Sequence, residues 1–317
     1  MVDRLFAEQL ATNRFNERSV KKPRSILSID DLSTLEIKGI IERALSIKSE
    51  PHSYSQKLQG KSIALLFEKT STRTRCSYET GIFEMGGAGF YIDWKSSNLM
   101  LGRIEDETRI MSRYYSLIMA RVYQHQTLEI MRSSSEVPVI NGLCDLEHPC
   151  QALADYMTFV EYFKNVAGLK LSYIGDPNNV CRSLAKIASL VGIEMTISCP
   201  IDYPVPTDIM GLPGVRVELS PHEGVKEADI IYTDTWVSMG QESEQTQRLK
   251  KFRDYQVNAS LLSSAPKHCL VMHCLPAHPG QEITADVLTS KKSLVFDQAE
   301  NRKHVQKALL AQLLNNN

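Results

Sequence analysis

Short apolar runs alternate along the chain with longer segments whose apolar residues recur every three to four positions. The short runs predict buried strands, and the longer segments predict helices. The predicted strands are 63–67, 117–123, 137–140, 169–174, 195–198, 215–219, 230–232 and 268–275. The predicted helices are 72–85, 127–133, 148–163, 179–191 and 298–314. Gly86 and Gly87 mark a helix end, and Pro149 marks a helix start.

The repeated strand-then-helix order is typical of parallel sheets that carry helices on both faces. The sequence therefore predicts an α/β protein with two doubly wound parallel-sheet domains joined by interdomain helices. We expect the first domain at residues 1–147 and the second at 148–297. The last helix, within 298–317, is expected to pack back on the first domain. A length of 317 residues is sufficient for two such domains.

Composition disfavours several classes of protein. The chain has 36 Lys and Arg against 37 Asp and Glu, and this net charge of −1 argues against a whole-protein binder of nucleic acid. No apolar run approaches the roughly 18 residues that a membrane span needs, and the N-terminal region does not resemble a secretory signal. The seven cysteines form no C-x-x-C pair and are interpreted as reduced thiols. We expect a cytoplasmic protein with neither nucleic acid nor a membrane as partner.

Residues suited to an anion follow the first predicted strand. In open parallel sheets, ligands bind beyond the carboxyl ends of the strands, and here the sequence STRTR at 71–75 opens a helix. Hydroxyls, backbone N–H groups and an arginine at a helix N-terminus favour phosphate, although Ser71 and Thr72 alone also suit a plain N-cap. Arg73 and Arg75 lie about 200° apart on a helix, so they cannot share one ligand. We assign Arg73 to the anion and Arg75 to a structural ion pair.

The stretch 71–75 resembles the carbamoyl-phosphate motif of the aspartate and ornithine carbamoyltransferases. Five further motifs of that family follow in the expected order. They are ARVY at 120–123, HPCQ at 148–151, DTWVSMG at 234–240, HCLP at 273–276 and AENR at 299–302. The motifs at 234–240 and 273–276 resemble those that separate the ornithine branch from the aspartate branch. The resemblance implies transfer of the carbamoyl group from carbamoyl phosphate to the δ-amine of L-ornithine, in arginine metabolism.

The resemblance, together with the chemistry of the donor, assigns a set of residues to carbamoyl phosphate. These are Ser71, Thr72, Arg73, Thr74, Arg121, His148, Gln151 and Arg302. Carbamoyl phosphate is a dianion with an electrophilic carbonyl, so its site needs donors for both parts. The spacing of His148 and Gln151 suits an imidazole on the carbamoyl oxygen and an amide on the NH₂. By resemblance Arg302 also reaches the carbonyl oxygen. We expect Arg121, His148, Cys274 and Arg302 to be catalytic.

Two of these residues have a plainer interpretation when taken without the other motifs. His148 would then be a helix cap or a surface residue. Arg302 would belong to a solvated helix face beside Lys303. The agreement of six motifs in one order favours the functional interpretation of both.

The resemblance also implies an ornithine site in the second predicted domain. Its residues are Asn179, Asp234, Ser238, Met239, Cys274 and Leu275. Asn179 and the backbone N–H of Met239 would bind the α-carboxylate. Asp234 would hold the α-ammonium together with Ser238. The Cys274 thiol and the Leu275 backbone carbonyl would contact the δ-nitrogen. A covalent role for the thiol is disfavoured, because the amine attacks the carbamoyl carbon directly.

Two cofactor hypotheses compete with this interpretation. His273, Cys274 and His278 suggest zinc, but structural zinc sites usually have four ligands in recognisable pairs. The segment 175–179 follows a strand and opens a helix, as in a dinucleotide site, but it lacks the G-x-G-x-x-G spacing. We therefore expect no metal and no cofactor. A non-catalytic sensor on the same fold is disfavoured, because the arginine, histidine and cysteine of the motifs are all present.

The acceptor and the assembly are also inferred from the resemblance. Aspartate is disfavoured, because Asp234, Ser238 and Cys274 stand where a dicarboxylate would need basic groups. Putrescine lacks the amino-acid groups that 238–240 would bind, and an N-acylated ornithine would leave Asp234 without its ammonium. The family implies a homotrimer, or a multiple of trimers, with sites at subunit interfaces. Its interface loop often has Gln or His just before Leu-Gly, but here Met100 stands in that place, and a thioether cannot donate to phosphate. Either Asn98 or Ser97 takes over this role or the neighbouring subunit contributes less, and no site role is assigned to Met100.

Overall fold

The computed structural model describes residues 22–163, 165–238 and 240–314. The strands of this part are β1 Ser62–Phe67, β2 Ala88–Asp93, β3 Leu117–Arg121, β4 Val139–Leu143, β5 Lys170–Ile174, β6 Glu194–Ser198, β7 Val215–Val217, β8 Ile230–Thr233 and β9 Leu270–His273. Its α-helices are α1 Thr34–Ser49, α2 Thr72–Glu84, α3 Ile104–Tyr114, α4 His125–Ser134, α5 Pro149–Tyr162, α6 Asn179–Val191, α7 Thr207–Met210, α8 Pro221–Gly224, α9 Gln245–Lys251, α10 Ala259–Ser264, α11 Ala285–Leu288 and α12 Val295–Leu314.

The strands form two parallel sheets. The first has the order β2-β1-β3-β4, and the second has the order β7-β6-β5-β8-β9. In each sheet the chain first winds to one side and then returns to the other, so both are doubly wound. The direction reverses between β1 and β3 in the first sheet and between β5 and β8 in the second. Ligands bind at such switch points, beyond the carboxyl ends of the strands. The predicted α/β fold class is confirmed.

Differences between prediction and structure have local reasons. Strand β2 was not predicted because it lies at the edge of its sheet and is only partly buried, so it has no continuous apolar run. Helix α3 has three acidic residues in its first turn and Met111 as its one buried apolar side chain, so few apolar residues mark it in the sequence. Helix α1 was also not predicted, although its apolar residues recur at helical spacing and Ser33 and Glu36 form a capping box. In contrast, α6 has the predicted bounds.

The two sheets share a continuous hydrophobic core. One buried cluster includes Ile37 of α1, Tyr78 of α2, Leu153 of α5, Leu171 of β5 and Leu309 of α12. Helix α12 contacts α1, α2 and α5, while α5 also contacts α6. The last helix therefore lies against helices from the first half of the chain, and residues 315–317 of the predicted segment lie outside the described residues. Among the described helices, none is long and apolar enough to cross a membrane.

Candidate active site

The loops that follow β1, β3, β8 and β9 meet around one cavity of about 300 Å³. Helices α2, α5, α6 and α12 complete its walls. The polar residues that line it are Lys69, Thr70, Ser71, Arg73, Arg121, His148, Gln151, Asn179, Asp234, Thr235, Ser238, Cys274, His278 and Arg302. Both sheets contribute residues to the cavity, which therefore brings together residues more than 200 positions apart in the sequence.

The two arginines at the start of α2 face different surroundings. Arg73 lines the cavity, and its Nε atom is buried with no hydrogen-bond partner among the described residues. Arg75 forms an ion pair with Glu79 at 3.0 Å and lies over the ring of Tyr91. The helical spacing therefore predicts correctly that only one of the two faces the cavity and that the other forms an ion pair.

The hydroxyls of the same motif organise the start of α2. The Ser71 hydroxyl accepts the backbone N–H of Thr74 at 3.3 Å, which caps the helix. The buried Thr74 hydroxyl accepts a hydrogen bond from the Arg302 guanidinium at 2.8 Å. Ser71 lines the cavity, whereas Thr72 and Thr74 are not among its lining residues. The contact between Thr74 and Arg302 ties the anion loop to the last helix.

Arg73, Arg121 and Arg302 converge on this cavity from three separate segments. Each has a buried Nε atom that finds no acceptor within the described part of the chain. Burial, together with repulsion by Arg302 and Arg73, lowers the pKa of Arg121 to about 9. Crowded cations with unused donors are suited to a phosphate dianion.

Arg121 ends β3 at an irregularity of the sheet. The register between β3 and β4 shifts after Ala120, so that Gly142 is an extra residue opposite this point. A Cβ atom on Gly142 would lie 2.4 Å from the sulfur of Met119, so only glycine fits the close approach. The bulge lies directly beside the arginine that lines the cavity.

His148 and Gln151 present neutral groups to the cavity. The His148 backbone N–H donates to the Ser183 hydroxyl at 2.9 Å just before α5 begins. Burial lowers the pKa of His148 well below its usual value, and the three nearby arginines act in the same direction. The imidazole is therefore neutral at pH 7. The Gln151 amide NH₂ donates to Asp155 at 2.9 Å, which leaves its oxygen unpaired within the described structure.

Asp234 and Cys274 form a pair on the opposite wall. The Cys274 thiol donates to Asp234 Oδ1 at 2.9 Å, and the Asn178 amide donates to Oδ2 at 2.7 Å. Burial raises the pKa of Cys274 well above its usual value, and the Asp234 charge raises it further. The cysteine is therefore a thiol rather than a reactive thiolate.

The other residues expected to bind ornithine differ in their surroundings. Asn179 lines the cavity, but its amide donates to the Cys144 carbonyl at 2.5 Å. Ser238 and Leu275 also line the cavity, and Leu275 has a positive φ of 58°, which is rare for a branched side chain. Met239 lies outside the described residues.

A possible metal-binding group lies at the same wall. Ligand atoms of Asp234, His273 and Cys274 lie within 4.8 Å of one another. His273 is already engaged at both ring nitrogens, because Nδ1 accepts the Leu275 N–H at 2.8 Å and Nε2 lies 3.1 Å from Glu282. These three potential ligands are fewer than the four of a structural zinc site.

Several residues at or near the cavity were not predicted from the sequence. Lys69 lines the cavity and lies over the Tyr123 ring. Its position two residues before the anion motif could have identified it as a candidate. Asn178 directly precedes Asn179, which was predicted, and its amide donates a hydrogen bond to the Asp234 carboxylate. Asp155 follows Gln151 by four positions, which places both on one face of α5.

Guanidinium groups with unpaired donors face a carboxylate and a thiol across one cavity, an arrangement that suits a two-substrate transferase with a phosphorylated donor. The chain matches two family models, one for the carbamoyl-P binding domain at residues 24–161 and one for the Asp/Orn binding domain at residues 167–313. It belongs to the aspartate/ornithine carbamoyltransferase family, whose members transfer carbamoyl groups.

Individual relatives agree with this assignment. The ornithine carbamoyltransferase of Methylococcus capsulatus is 44% identical over 297 residues, which cover 92% of this chain and 99% of the relative. That of Archaeoglobus fulgidus is 46% identical over 302 residues, or 92% and 97% of the two chains. The solved ornithine carbamoyltransferase from Pyrococcus furiosus has a TM-score of 0.88 and 42% identity, with 92% and 97% covered. A solved N-acetyl-L-ornithine transcarbamylase has a TM-score of 0.81 and 28% identity, with 91% and 99% covered.

Proposed function

We propose that this protein transfers the carbamoyl group of carbamoyl phosphate to the δ-amine of L-ornithine, which yields L-citrulline and phosphate. The observation that carries the proposal is a single cavity in which unpaired guanidinium groups lie beside the Asp234 and Cys274 pair. Cationic donors suit the phosphate, and a carboxylate suits an amino-acid ammonium. The identity of 44% to 46% with ornithine carbamoyltransferases supports ornithine as the acceptor.

The donor half of the proposal assigns roles by charge. The phosphate would be held by Arg73 and Arg121, with the Ser71 hydroxyl and the backbone N–H groups of 71–74, while the Thr74 hydroxyl holds the Arg302 guanidinium. Arg302 and the neutral His148 would donate to the carbamoyl oxygen, where negative charge develops as the tetrahedral intermediate forms. The unpaired Gln151 oxygen supports a role as acceptor for the carbamoyl NH₂.

The acceptor half uses the residues of the second sheet. Asn179 and the Met239 backbone N–H would bind the α-carboxylate. Asp234 and Ser238 would hold the α-ammonium. The Cys274 thiol, with the neighbouring Leu275 carbonyl, would contact the δ-nitrogen, and its raised pKa supports a non-covalent role.

The reaction needs a neutral amine. The amine nitrogen attacks the carbamoyl carbon, the bond from that carbon to the phosphate oxygen breaks, and the amine proton leaves with the phosphate. An amine of pKa near 10.4 costs about 4.6 kcal/mol to deprotonate at pH 7, whereas one neutral hydrogen bond contributes only about 1 kcal/mol. We propose that closure of the two domains over both substrates desolvates the amine and lowers its pKa.

The domains and the assembly belong to the same proposal. Residues 1–147 would form the carbamoyl-phosphate domain, with the helix within 298–317 packed back on it, and 148–297 would form the ornithine domain. The protein would be a homotrimer or a multiple of trimers. Support comes from the segment after β2, where Met100 and Leu101 are 69% and 82% exposed and are available to a neighbouring copy. Light scattering that shows a fully active monomer would refute the shared site.

We also propose that the enzyme serves arginine biosynthesis in the cytoplasm. All seven cysteines lie within the described residues and are free thiols, which is typical of a reducing compartment. Cell fractionation would test the location. Restored growth of an arginine-requiring host that lacks its own enzyme would test the biosynthetic direction.

Parallel assays of carbamoyl transfer to L-ornithine, N-acetyl-L-ornithine, putrescine and L-aspartate test the acceptor. We expect kcat/KM for ornithine to exceed the others by about 100-fold or more, because only ornithine combines an α-carboxylate for Asn179, an α-ammonium for Asp234 and a free δ-amine. A preference for the N-acetyl compound would contradict the proposal. Asp234→Asn should lower kcat/KM for ornithine while leaving the binding of inorganic phosphate within about twofold, since the two pockets use different residues.

A further inference from the structure

A buried carboxylate lies behind the residue that would bind the carbamoyl NH₂. Asp155 of α5 is fully buried and does not line the cavity. Its Oδ1 atom accepts hydrogen bonds from the amide NH₂ of Gln151 at 2.9 Å and from that of Gln298 at 2.7 Å. Its Oδ2 atom accepts the Tyr232 hydroxyl at 3.0 Å. These partners come from α5, α12 and β8, so the carboxylate joins three elements.

The direction of these hydrogen bonds is determined at both ends of the network. The Gln298 oxygen accepts the His273 backbone N–H at 3.0 Å, so its NH₂ group must face Asp155. A carboxylate only accepts hydrogen bonds, and Gln151 must therefore also turn its NH₂ group toward it. The Gln151 oxygen is then the atom that faces the cavity, where it is buried and unpaired among the described residues.

We propose that Asp155 is a positioning residue that holds the Gln151 carbonyl oxygen toward the donor substrate and so selects an acyl phosphate whose acyl group carries an N–H donor. A carbamoyl group offers that donor, whereas an acetyl group of nearly the same shape offers a methyl group. This inference rests on the proposed function in one respect, namely that the donor substrate is carbamoyl phosphate. Without the carboxylate, the Gln151 amide could rotate by about 180°, and its NH₂ group would then face the NH₂ group of the substrate, donor against donor.

The ionisation of Asp155 agrees with this role. Burial raises its pKa to about 7, while the hydrogen bonds from Gln151, Gln298 and Tyr232 favour the ionised form. The charged or titratable groups that face it from other elements are Arg302, Tyr232 and Cys274. Burial raises the pKa of the Tyr232 phenol and of the Cys274 thiol above their usual values, and the Arg302 guanidinium stays charged. None of these groups therefore titrates between pH 6 and 8.

Binding of stable probes tests the proposal without turnover. Phosphonoacetamide carries an amide NH₂, and 2-oxopropylphosphonate carries a methyl group in its place. At pH 8 we expect calorimetry to give a Kd for the amide about tenfold or more below that for the ketone, because the ketone leaves the Gln151 oxygen unpaired. In Asp155→Asn this ratio should fall below about threefold, since an asparagine side chain can also donate. The Kd for inorganic phosphate should stay within about twofold.

Two controls separate positioning from damage to the fold. Tyr232→Phe removes one hydrogen bond from the same carboxylate but leaves both amides on Oδ1, so it should keep the wild-type ratio. The wild-type protein itself should lose much of the ratio at pH 6, where Asp155 is protonated, and this measurement does not depend on a variant that folds. Each Kd is expressed for the phosphonate dianion, from the measured second pKa of each probe, so that ionisation of the probes does not enter the ratio.

Three results would overturn the proposal: an unchanged ratio in Asp155→Asn, an equal loss of phosphate binding in that variant, or a wild-type ratio that is the same at pH 6 and pH 8. The failure of the proposed function is a different result. A protein that binds the amide probe selectively but forms no citrulline would refute ornithine transfer and retain the role of Asp155. A protein that forms citrulline with no selectivity between the probes would refute only this inference.

Discussion

Arg73, Arg121 and Arg302 face one cavity although their charges repel and burial removes much of their hydration. Uncompensated buried charges reduce the stability of a free protein. A bound dianion would offset that cost, because each guanidinium retains an unpaired donor. The residues proposed to bind the donor substrate therefore make the free site less stable than an apolar one.

The two arginines of α2 give the sharpest test at the residue scale. Arg73→Ala should raise the Kd for inorganic phosphate, and the KM for carbamoyl phosphate, by about 10- to 100-fold, because a charge-assisted hydrogen bond is lost. Arg75→Ala, two positions away, should change both by less than about threefold, since Arg75 pairs with Glu79 at the surface. Titration calorimetry and steady-state kinetics measure the two effects. Equal losses in both variants would contradict the assignment.

At the scale of elements, two helices connect the core to the site. Helix α5 is buried along most of its length and presents Gln151 to the cavity and Asp155 to the interior. Helix α12 contacts α1, α2 and α5, and it carries both Gln298 and Arg302. The packing of these helices therefore determines the geometry of the groups that face the cavity.

The core side of α12 should be sensitive to loss of volume. Leu309 is fully buried, and Leu309→Ala should lower the free energy of unfolding by about 2–5 kcal/mol, because it leaves a cavity. Leu35 of α1 is 80% exposed, and Leu35→Ala should change the free energy of unfolding by less than about 0.5 kcal/mol. Urea denaturation measures both. KM for carbamoyl phosphate should be unchanged in each variant at low temperature, as neither residue lines the cavity.

Asp155 should couple the stability of these elements to pH. Its pKa is about 7 in the folded protein and about 4 in an unfolded chain, so the folded state binds more protons between these values. Stability from this group is therefore present at low pH and decreases as pH rises to 7. The unfolding free energy of the wild type relative to Asp155→Asn should fall by about 3 kcal/mol from pH 5 to pH 8. A constant difference in urea titrations across this range would show that Asp155 keeps an ordinary pKa.

At the scale of the whole molecule, two sheets turn the carboxyl ends of their strands toward one cavity. The first sheet contributes cations, and the second contributes Asp234 and Cys274. Opposite local charges on the two walls suit two different substrates, although the net charge of the chain is only −1. Closure of the walls would then bring the amine to the carbamoyl carbon.

The pH dependence of the reaction tests the need for a neutral amine. With saturating carbamoyl phosphate, kcat/KM for ornithine should rise about tenfold per pH unit while the free amine is protonated, and should level off near its pKa of about 10.4. His148 should add no transition above pH 6, because burial and the arginines lower its pKa well below its usual value. A kcat/KM for ornithine that stays constant between pH 6 and pH 10 would contradict the need for a neutral amine.

The sequence by itself determined the alternation of most strands and helices, the α/β class, the family motifs and the different surroundings of Arg73 and Arg75, because these depend on spacing within a few residues. It did not reveal β2, whose edge position leaves it half exposed, and it did not reveal the network of Asp155. Only the tertiary structure decided that Arg302 reaches Thr74 across 228 positions, and that Gln298 and Tyr232 meet Asp155 behind the cavity. Such contacts depend on how helices and sheets pack, and that packing is set by the shared core rather than by local periodicity.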